Sequence, residues 1–364
     1  MKIAMLGQKK VPSRSGGVEV VVENLSTRMV ERGHEVTLYN RKEDKNIKKS
    51  YKGVKIVTVP TIKMKGIAAV SASFFATLLA SIKKFDVIHI HAEGPAFFCW
   101  LPKLFRKRVI VTIHGLDWKR DKWASGLGSK FIKMGEKNAV KYADSIIVLS
   151  QNLQEYFKNK YNRDTLLISN GVNKPKLLSP TMIKKNWNLE KNNYILFLGR
   201  IVPEKGIKKL ILAYKQINTN KKLVIAGGAS DTSKFYNEIK SLASKDKRII
   251  FTGPVKGKIL SELYSNSYLY VLPSNLEGMP LTLLEAMSFG NACLVSDIPE
   301  CTEVIGKKGI IFNRKDNTDL KKKLEMCLHN KRMIDKLKNE SSNYIVEKYN
   351  WDKVVDKTIR TYKS

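Results

Sequence analysis

The stretch Tyr194-Ile195-Leu196-Phe197-Leu198-Gly199-Arg200-Ile201-Val202-Pro203-Glu204-Lys205-Gly206 decides the fold class. Five apolar residues without polar alternation read as a strand buried on both faces. Gly199 ends it, a short basic loop stiffened by Pro203 follows, and a helical pattern runs over 205–216. The chain begins the same way: residues 3–7 are again a strand closed by glycine. Strand, glycine loop and helix in that order open a doubly wound α/β sheet.

Outward from these two starts, further Val/Ile-rich runs predict strands. In the first half they fall at 36–39, 54–59, 86–91, 109–113 and 145–149, and in the second at 223–226, 249–251, 269–272 and 293–295. Helical patterns lie between them, which indicates parallel sheets covered on both faces. The proline-containing stretch Asn173-Lys174-Pro175-Lys176-Leu177-Leu178-Ser179-Pro180 interrupts the pattern. The expected organisation is a Rossmann-like domain over 1–173, a linker over 174–180 and a second Rossmann-like domain over 181–345. A C-terminal helix over 346–364 packs back toward the first domain. Two such sheets facing one another leave a cleft, because ligands bind outside the carboxyl ends of the strands.

At 364 residues, the chain is long enough for two domains. Hydrophobic residues at 43% and charged residues at 27% exclude a disordered, collagen-like or disulfide-dense chain. Cys99, Cys293, Cys301 and Cys327 form no C-x-x-C pair and, with no secretory signal read at the N-terminus, are expected to be reduced thiols of a cytoplasmic protein. The net charge is +33. It suits a polyanionic partner such as an anionic membrane surface, and equally a lysine-biased composition with no such role. Residues 67–82 carry no charge and are short for a membrane span, so a buried helix beside a sheet is expected.

Three loops carry the candidate chemistry. In the first, residues 7–19, Gly16 and Gly17 precede a helix and would let backbone N–H groups approach an anion. In the second, Arg200 can fork onto phosphate oxygens and Lys205 adds a point charge. The third, Glu277-Gly278-Met279-Pro280-Leu281-Thr282-Leu283-Leu284-Glu285, sets two carboxylates eight apart around a helix start. Its N–H groups at Gly278, Met279 and Leu281 could hold a phosphate, while Glu285 accepts hydrogen bonds from sugar hydroxyls. His114 ends a strand beside Gly115. His89 and His91 share one face of a strand but bring no third metal ligand.

Gly16-Gly17, His114, Gly199-Arg200-x4-Lys205-Gly206 and Glu277-x7-Glu285, in this order, resemble glycosyltransferase family 4 over nearly the whole chain. Residues 7–19 and 114–123 are similar to a narrower bacterial branch of capsular and exopolysaccharide assembly, rhamnosyltransferase-like enzymes. The resemblance implies the GT-B fold and retaining transfer of a sugar from a UDP- or dTDP-sugar, with rhamnose a candidate, without a metal or other cofactor. It implies a saccharide or lipid-diphosphate acceptor at the inner face of the plasma membrane. Arg200 and Lys205 would neutralise the donor diphosphate and Glu285 would hold the ribose. Glu277 would contact the sugar, with Gly278, Met279, Pro280 and Leu281 beside it. Gly253 and Val255 would wall the base, His114 would sit at the reacting centre, and Gly16 and Gly17 would let the acceptor-side domain close on the phosphates. Trp118 and Trp123 would stack on the acceptor.

Two other readings stand beside this one. A sugar-nucleotide epimerase can share the fold and needs no acceptor. A polyanion-binding protein accounts for the charge, but no nucleic-acid-binding motif is present.

Overall fold

The computed structural model describes every residue except 15, 43–48, 65, 121–125 and 230–232. The chain divides into two compact units, Met1–Gly171 with Trp351–Ser364, and Val172–Asn350. Residues 174–180 and 346–350 thus lie in the second unit, and the final helix, Trp351–Lys363, lies in the first.

The first unit holds β1 (Lys2–Leu6), β2 (Glu35–Arg41), β3 (Ser50–Tyr51), β4 (Val54–Val59), β5 (Val87–His91), β6 (Arg108–Ile113), β7 (Ser145–Val148) and β8 (Leu166–Leu167). Their order across the sheet is β3-β4-β2-β1-β5-β6-β7-β8, parallel except where β3 pairs with β4. The final helix completes this unit. Arg32 donates to Asp352 at 2.8 Å and Asp356 at 3.1 Å, and Gly171 leaves room for the Trp351 ring, which a Cβ there would meet at 2.5 Å.

The second unit holds β9 (Tyr194–Leu198), β10 (Lys222–Ala226), β11 (Ile249–Gly253), β12 (Leu269–Leu272), β13 (Cys293–Ser296) and β14 (Ile310–Phe312), an all-parallel sheet ordered β11-β10-β9-β12-β13-β14. The first four residues of β9 are fully buried in the core, as the continuous apolar run demands. Tyr194 brings a polar atom inside, and its hydroxyl donates to the Leu263 carbonyl at 2.6 Å.

Both sheets are doubly wound, and each has one point where the chain turns from building outward on one side to building on the other. In the first sheet it lies between β1 and β5, and in the second between β9 and β12. Gly7, just past β1, has φ +113, and a Cβ on it would lie 2.1 Å from the His91 carbonyl oxygen at the end of β5. Gly206 has φ +66, and its Cβ would lie 2.0 Å from the Pro273 carbonyl oxygen just past β12. At each crevice a glycine allows the two loops to touch.

The helix Ile67–Ile82 forms as read, but burial holds for one face only: Ala72, Ala76 and Ala80 enter the core, while Ile67, Phe74 and Ile82 are exposed. A charge-free sequence does not distinguish a helix covered on all sides from one with an uncovered apolar face.

Candidate active site

The second unit gathers the basic loop and the two-carboxylate loop at its crevice. The loop after β9 passes through the 3-10 turn Pro203–Lys205 into the helix Ile207–Lys215. The loop after β12 leads to Pro280, the N-cap of the helix Leu281–Ser288. Between them, Lys205 Nζ donates to Glu277 Oε1 at 2.5 Å, and the Ser274 hydroxyl donates to the same oxygen at 2.6 Å. The side chains are 11% and 9% exposed, so the pair is mostly shielded from water. Ser274 is itself placed by Ser296, whose hydroxyl donates to its carbonyl oxygen at 2.5 Å. The Asn275 N–H donates to the Glu204 carbonyl at 2.8 Å and fastens the loops a second time.

Glu285 lies one turn along the helix from Leu281 and is half-buried. The Tyr264 hydroxyl donates to its Oε2 at 3.2 Å. Burial, together with the Glu285 charge, drives the Tyr264 phenol well above its usual range, so it stays a donor. Gly278 and Pro280 are buried, while Met279 and Leu281 are partly exposed at the helix start. The first N–H groups of a helix have no carbonyl one turn back, so this end favours an anion. Arg200, just past β9, is half-exposed.

The loops after β10 and β11 extend the same edge. The Gly227 N–H donates to the Gly253 carbonyl at 2.9 Å, and Gly253 has φ +70. Val255 packs on the core from partial exposure. Gly228 admits Pro254, whose Cγ would lie 2.9 Å from a Cβ at that position. Gly227-Gly228, Tyr264, Ser274 and Ser296 escape sequence reading. The glycine pair after an apolar run is a visible signal, but a lone tyrosine or serine carries none.

In the first unit, Gly16 is the extended N-cap of the helix Gly17–Glu31 and Gly17 is exposed. Buried Glu19 takes the Lys9 N–H at 2.9 Å, and its Oε2 would lie 2.5 Å from a Cβ on Gly16. The loop therefore already holds an anionic group of its own at this helix start. Ser15 lies outside the described residues.

The three histidines form a row. His89 Nδ1 lies 2.6 Å from the Tyr362 hydroxyl and its Nε2 lies 2.7 Å from the Thr112 hydroxyl. The His89 and His91 ring centroids lie 4.1 Å apart with the planes tilted by 32°, and His91 Nδ1 lies 3.1 Å from His114 Nε2. Burial holds all three neutral, pushing His114 down to about 4, His89 to about 3 and His91 well below its ordinary value. Among the described residues no cluster of three or more His, Cys, Asp or Glu is placed to hold a metal ion.

Trp118 is half-buried. Its indole N–H donates to buried Glu136 at 2.9 Å, and Lys133 and Lys160 stand 4.7 and 5.5 Å from the ring centroid. The ring is engaged within its own unit. Glu136 also takes bonds from Tyr156, Tyr161 and Lys160. Burial, the Asp117 charge and a hydrogen bond to Glu136 push Glu93 far above the carboxylate range, so it keeps its proton beneath the Asp117 turn. Asp121, Lys122 and Trp123 lie outside the described residues.

Comparison with known proteins covers nearly the whole chain. Residues 15–174 match the model of Glycosyltransferase Family 4, and residues 180–360 match that of Glycosyl transferases group 1. An uncharacterized glycosyltransferase of Methanocaldococcus jannaschii is 28% identical, covering 100% of this chain and 98% of its own length. The N,N'-diacetylbacillosaminyl-diphospho-undecaprenol alpha-1,3-N-acetylgalactosaminyltransferase of Campylobacter jejuni is 27% identical over 57% of this chain and 61% of its own. An O-antigen chain mannosyltransferase of Salmonella typhimurium is 29% identical over 59% and 58%. Among solved structures, the sucrose-phosphate synthase of Thermosynechococcus elongatus superposes with TM-score 0.85 at 21% identity, over 100% of this chain and 98% of its own. An Anabaena protein solved with UDP and glucose superposes with TM-score 0.81 at 15% identity, over 100% and 99%.

Proposed function

Because the chain belongs to the family 4 glycosyltransferases of GT-B fold, we propose that it moves a sugar from a nucleoside-diphosphate donor to a saccharide or lipid-diphosphate acceptor of the bacterial cell surface. The observation that carries this reading is the Lys205–Glu277 pair at the crevice, with Glu285 one turn into the adjoining helix. A cation, a helix start and two carboxylates match a sugar diphosphate: positive charge for the phosphates and acceptors for hydroxyls. The acceptor class is supported by the C. jejuni relative, named for transfer onto a diphospho-undecaprenol carrier, and by the S. typhimurium one, named for O-antigen chains.

The reaction breaks the bond from the anomeric carbon to the diphosphate oxygen and forms a bond from that carbon to an acceptor hydroxyl oxygen. The acceptor proton leaves with the departing phosphate. Arg200, Lys205 and the helix N–H groups from Leu281 stabilise charge growing on the leaving oxygen, in the role a divalent ion fills elsewhere. Glu285 holds the ribose, Glu277 the transferred sugar, and Gly253 and Val255 the base. Attack comes from the face the diphosphate leaves, so configuration is retained and no covalent enzyme intermediate forms. His114, neutral, serves the sugar as a hydrogen-bond partner without adding positive charge. The donor is a UDP- or dTDP-sugar, with rhamnose first to be tried, and the product enters capsule or exopolysaccharide.

Thermal unfolding with UDP, dTDP, GDP and ADP, each with magnesium and with EDTA, tests the donor. A nucleotide at about 100 times its Kd adds about 2.7 kcal/mol, a rise of a few degrees. The expected result is a shift with UDP or dTDP that survives EDTA. No shift with any nucleotide, or a sugar nucleotide converted to an isomer of equal mass without acceptor, overturns the reading.

A further inference from the structure

The outward face of the helix Ile67–Ile82 is apolar along its whole length. Ile67, Val70, Phe74, Leu78 and Ile82 recur at three- and four-residue steps and so share one face. Ile67, Phe74 and Ile82 are 42%, 37% and 59% exposed. The solvent face of a surface helix ordinarily carries charged and polar side chains. Behind this face the helix is backed by a row of aromatic rings, with Phe98 buried. Phe74 meets Phe98 at 5.5 Å, Phe98 meets Phe97 at 5.0 Å, and Phe97 stacks on Phe131 at 4.5 Å. On the helix Trp100–Leu104, packed beside it, Leu104 is 70% exposed, and Phe105 just after is 44% exposed.

The charged residues within the segments that carry this face are basic, while exposed Asp86 follows the first of them and Asp144 pairs with Lys103 at 2.8 Å. Lys63 stands before the helix and Lys83-Lys84 after it, all exposed, and Arg106 and Lys107 follow Phe105. No acidic residue occurs over 60–85 or 94–116. We propose that this face of the first unit docks on an anionic phospholipid bilayer, the helix lying in the headgroup region with its lysine-rich ends on the phosphates. An apolar stripe with cations at its rim is the pattern of an interfacial helix. Sixteen residues reach about 24 Å, short of the roughly 30 Å hydrocarbon core. No helix among the described residues is long and apolar enough to cross a membrane. A second copy of the chain would bring lysines against lysines on this face, which opposes pairing. The inference stands apart from the donor assignment and survives its failure.

Flotation of the full chain with vesicles of phosphatidylcholine alone, and with phosphatidylglycerol added, tests it. The chain is expected to float only with phosphatidylglycerol, and less as salt rises. Phe74→Ser with Ile82→Ser should weaken partitioning by at least about tenfold with the melting temperature and nucleotide shift kept. Lys83→Glu with Lys84→Glu should lose the salt-sensitive part. Three results each overturn the proposal: no flotation with phosphatidylglycerol, equal flotation with both vesicles, or a Ser double variant that floats like the parent. A dimer in solution that the Ser double variant dissociates would assign the face to a second copy instead.

Discussion

Lys205 Nζ and Glu277 Oε1 stand 2.5 Å apart and tie the loop after β9 to the loop after β12, across the crevice where the second sheet changes direction. The two residues are 72 apart in sequence, and their loops meet only because β9 and β12 are neighbours in the sheet. On the proposed reading, a diphosphate arriving at Lys205 would compete with a carboxylate already in place.

Glu277→Gln tests that competition. Removing the charge frees the ammonium for phosphate and lifts repulsion from the nucleotide, so UDP or its counterpart should bind about 3- to 10-fold tighter. Turnover should fall by about 10²-fold, because a group aimed at the reacting sugar is weakened. Calorimetric nucleotide affinity and single-turnover rates separate the effects. Weaker nucleotide binding in the variant would refute the competition.

On the proposed reading, Glu285 holds the ribose, a part of the donor that does not react. Glu285→Ala should raise the donor KM by about 10-fold or more and leave kcat within a few-fold of the parent, the signature of an interaction equal in ground and transition states. The Tyr264 hydroxyl loses a partner but keeps the Thr282 carbonyl at 3.3 Å, so the core there should hold. A fall in kcat at unchanged KM would contradict ribose binding.

The doubly wound architecture was readable from continuous apolar strands and repeated glycine turns. The strands β3 and β8, two residues each, are too short to show a pattern. The places of Arg200, Lys205, Glu277 and Glu285 in loops past strands and at a helix start were legible, because glycine and proline there have local causes. Tyr264 was not, since its partner Glu285 lies 21 residues on, and a lone serine such as Ser274 carries no signal of the bond it makes to Glu277. The surroundings of Trp118 were hidden too: Glu136, 18 residues on, takes its N–H. The histidine row needed strand adjacency, because His91 and His114 meet only when β5 and β6 pair.

Gly7 should tolerate no side chain. At φ +113 an L-residue is strained, and a Cβ would sit 2.1 Å from the His91 carbonyl oxygen, a backbone atom that cannot swing aside. Gly7→Ala should cost about 3 kcal/mol or more, read by denaturant unfolding or as loss of soluble protein. Stability within about 1 kcal/mol of the parent would show that this loop contact yields easily.

The histidine row makes the first unit sensitive to mild acid. His89, His91 and His114 are neutral in the folded chain, with values of about 3 and 4 for the first and last and the middle one well below ordinary, all by burial. Unfolded, each titrates near 6.5. Between the unfolded and folded values the unfolded chain binds more protons, so stability rises with pH and is lost as pH falls below about 6.5. Each histidine contributes up to about 1.4 kcal/mol per pH unit in that window. Over about pH 6.5 to 5.5 the imidazoles lower stability as pH falls, while Glu93, protonated in the fold and ionised when unfolded, offsets about one of them. Urea unfolding of the parent across that range should show a falling midpoint. His89→Gln, which keeps polar atoms for Tyr362 and Thr112, should flatten the slope, because one depressed imidazole is removed. A parent whose midpoint stays level from pH 7 to 5.5, or a variant with the parent's slope, would mean that these rings take up protons without leaving the fold.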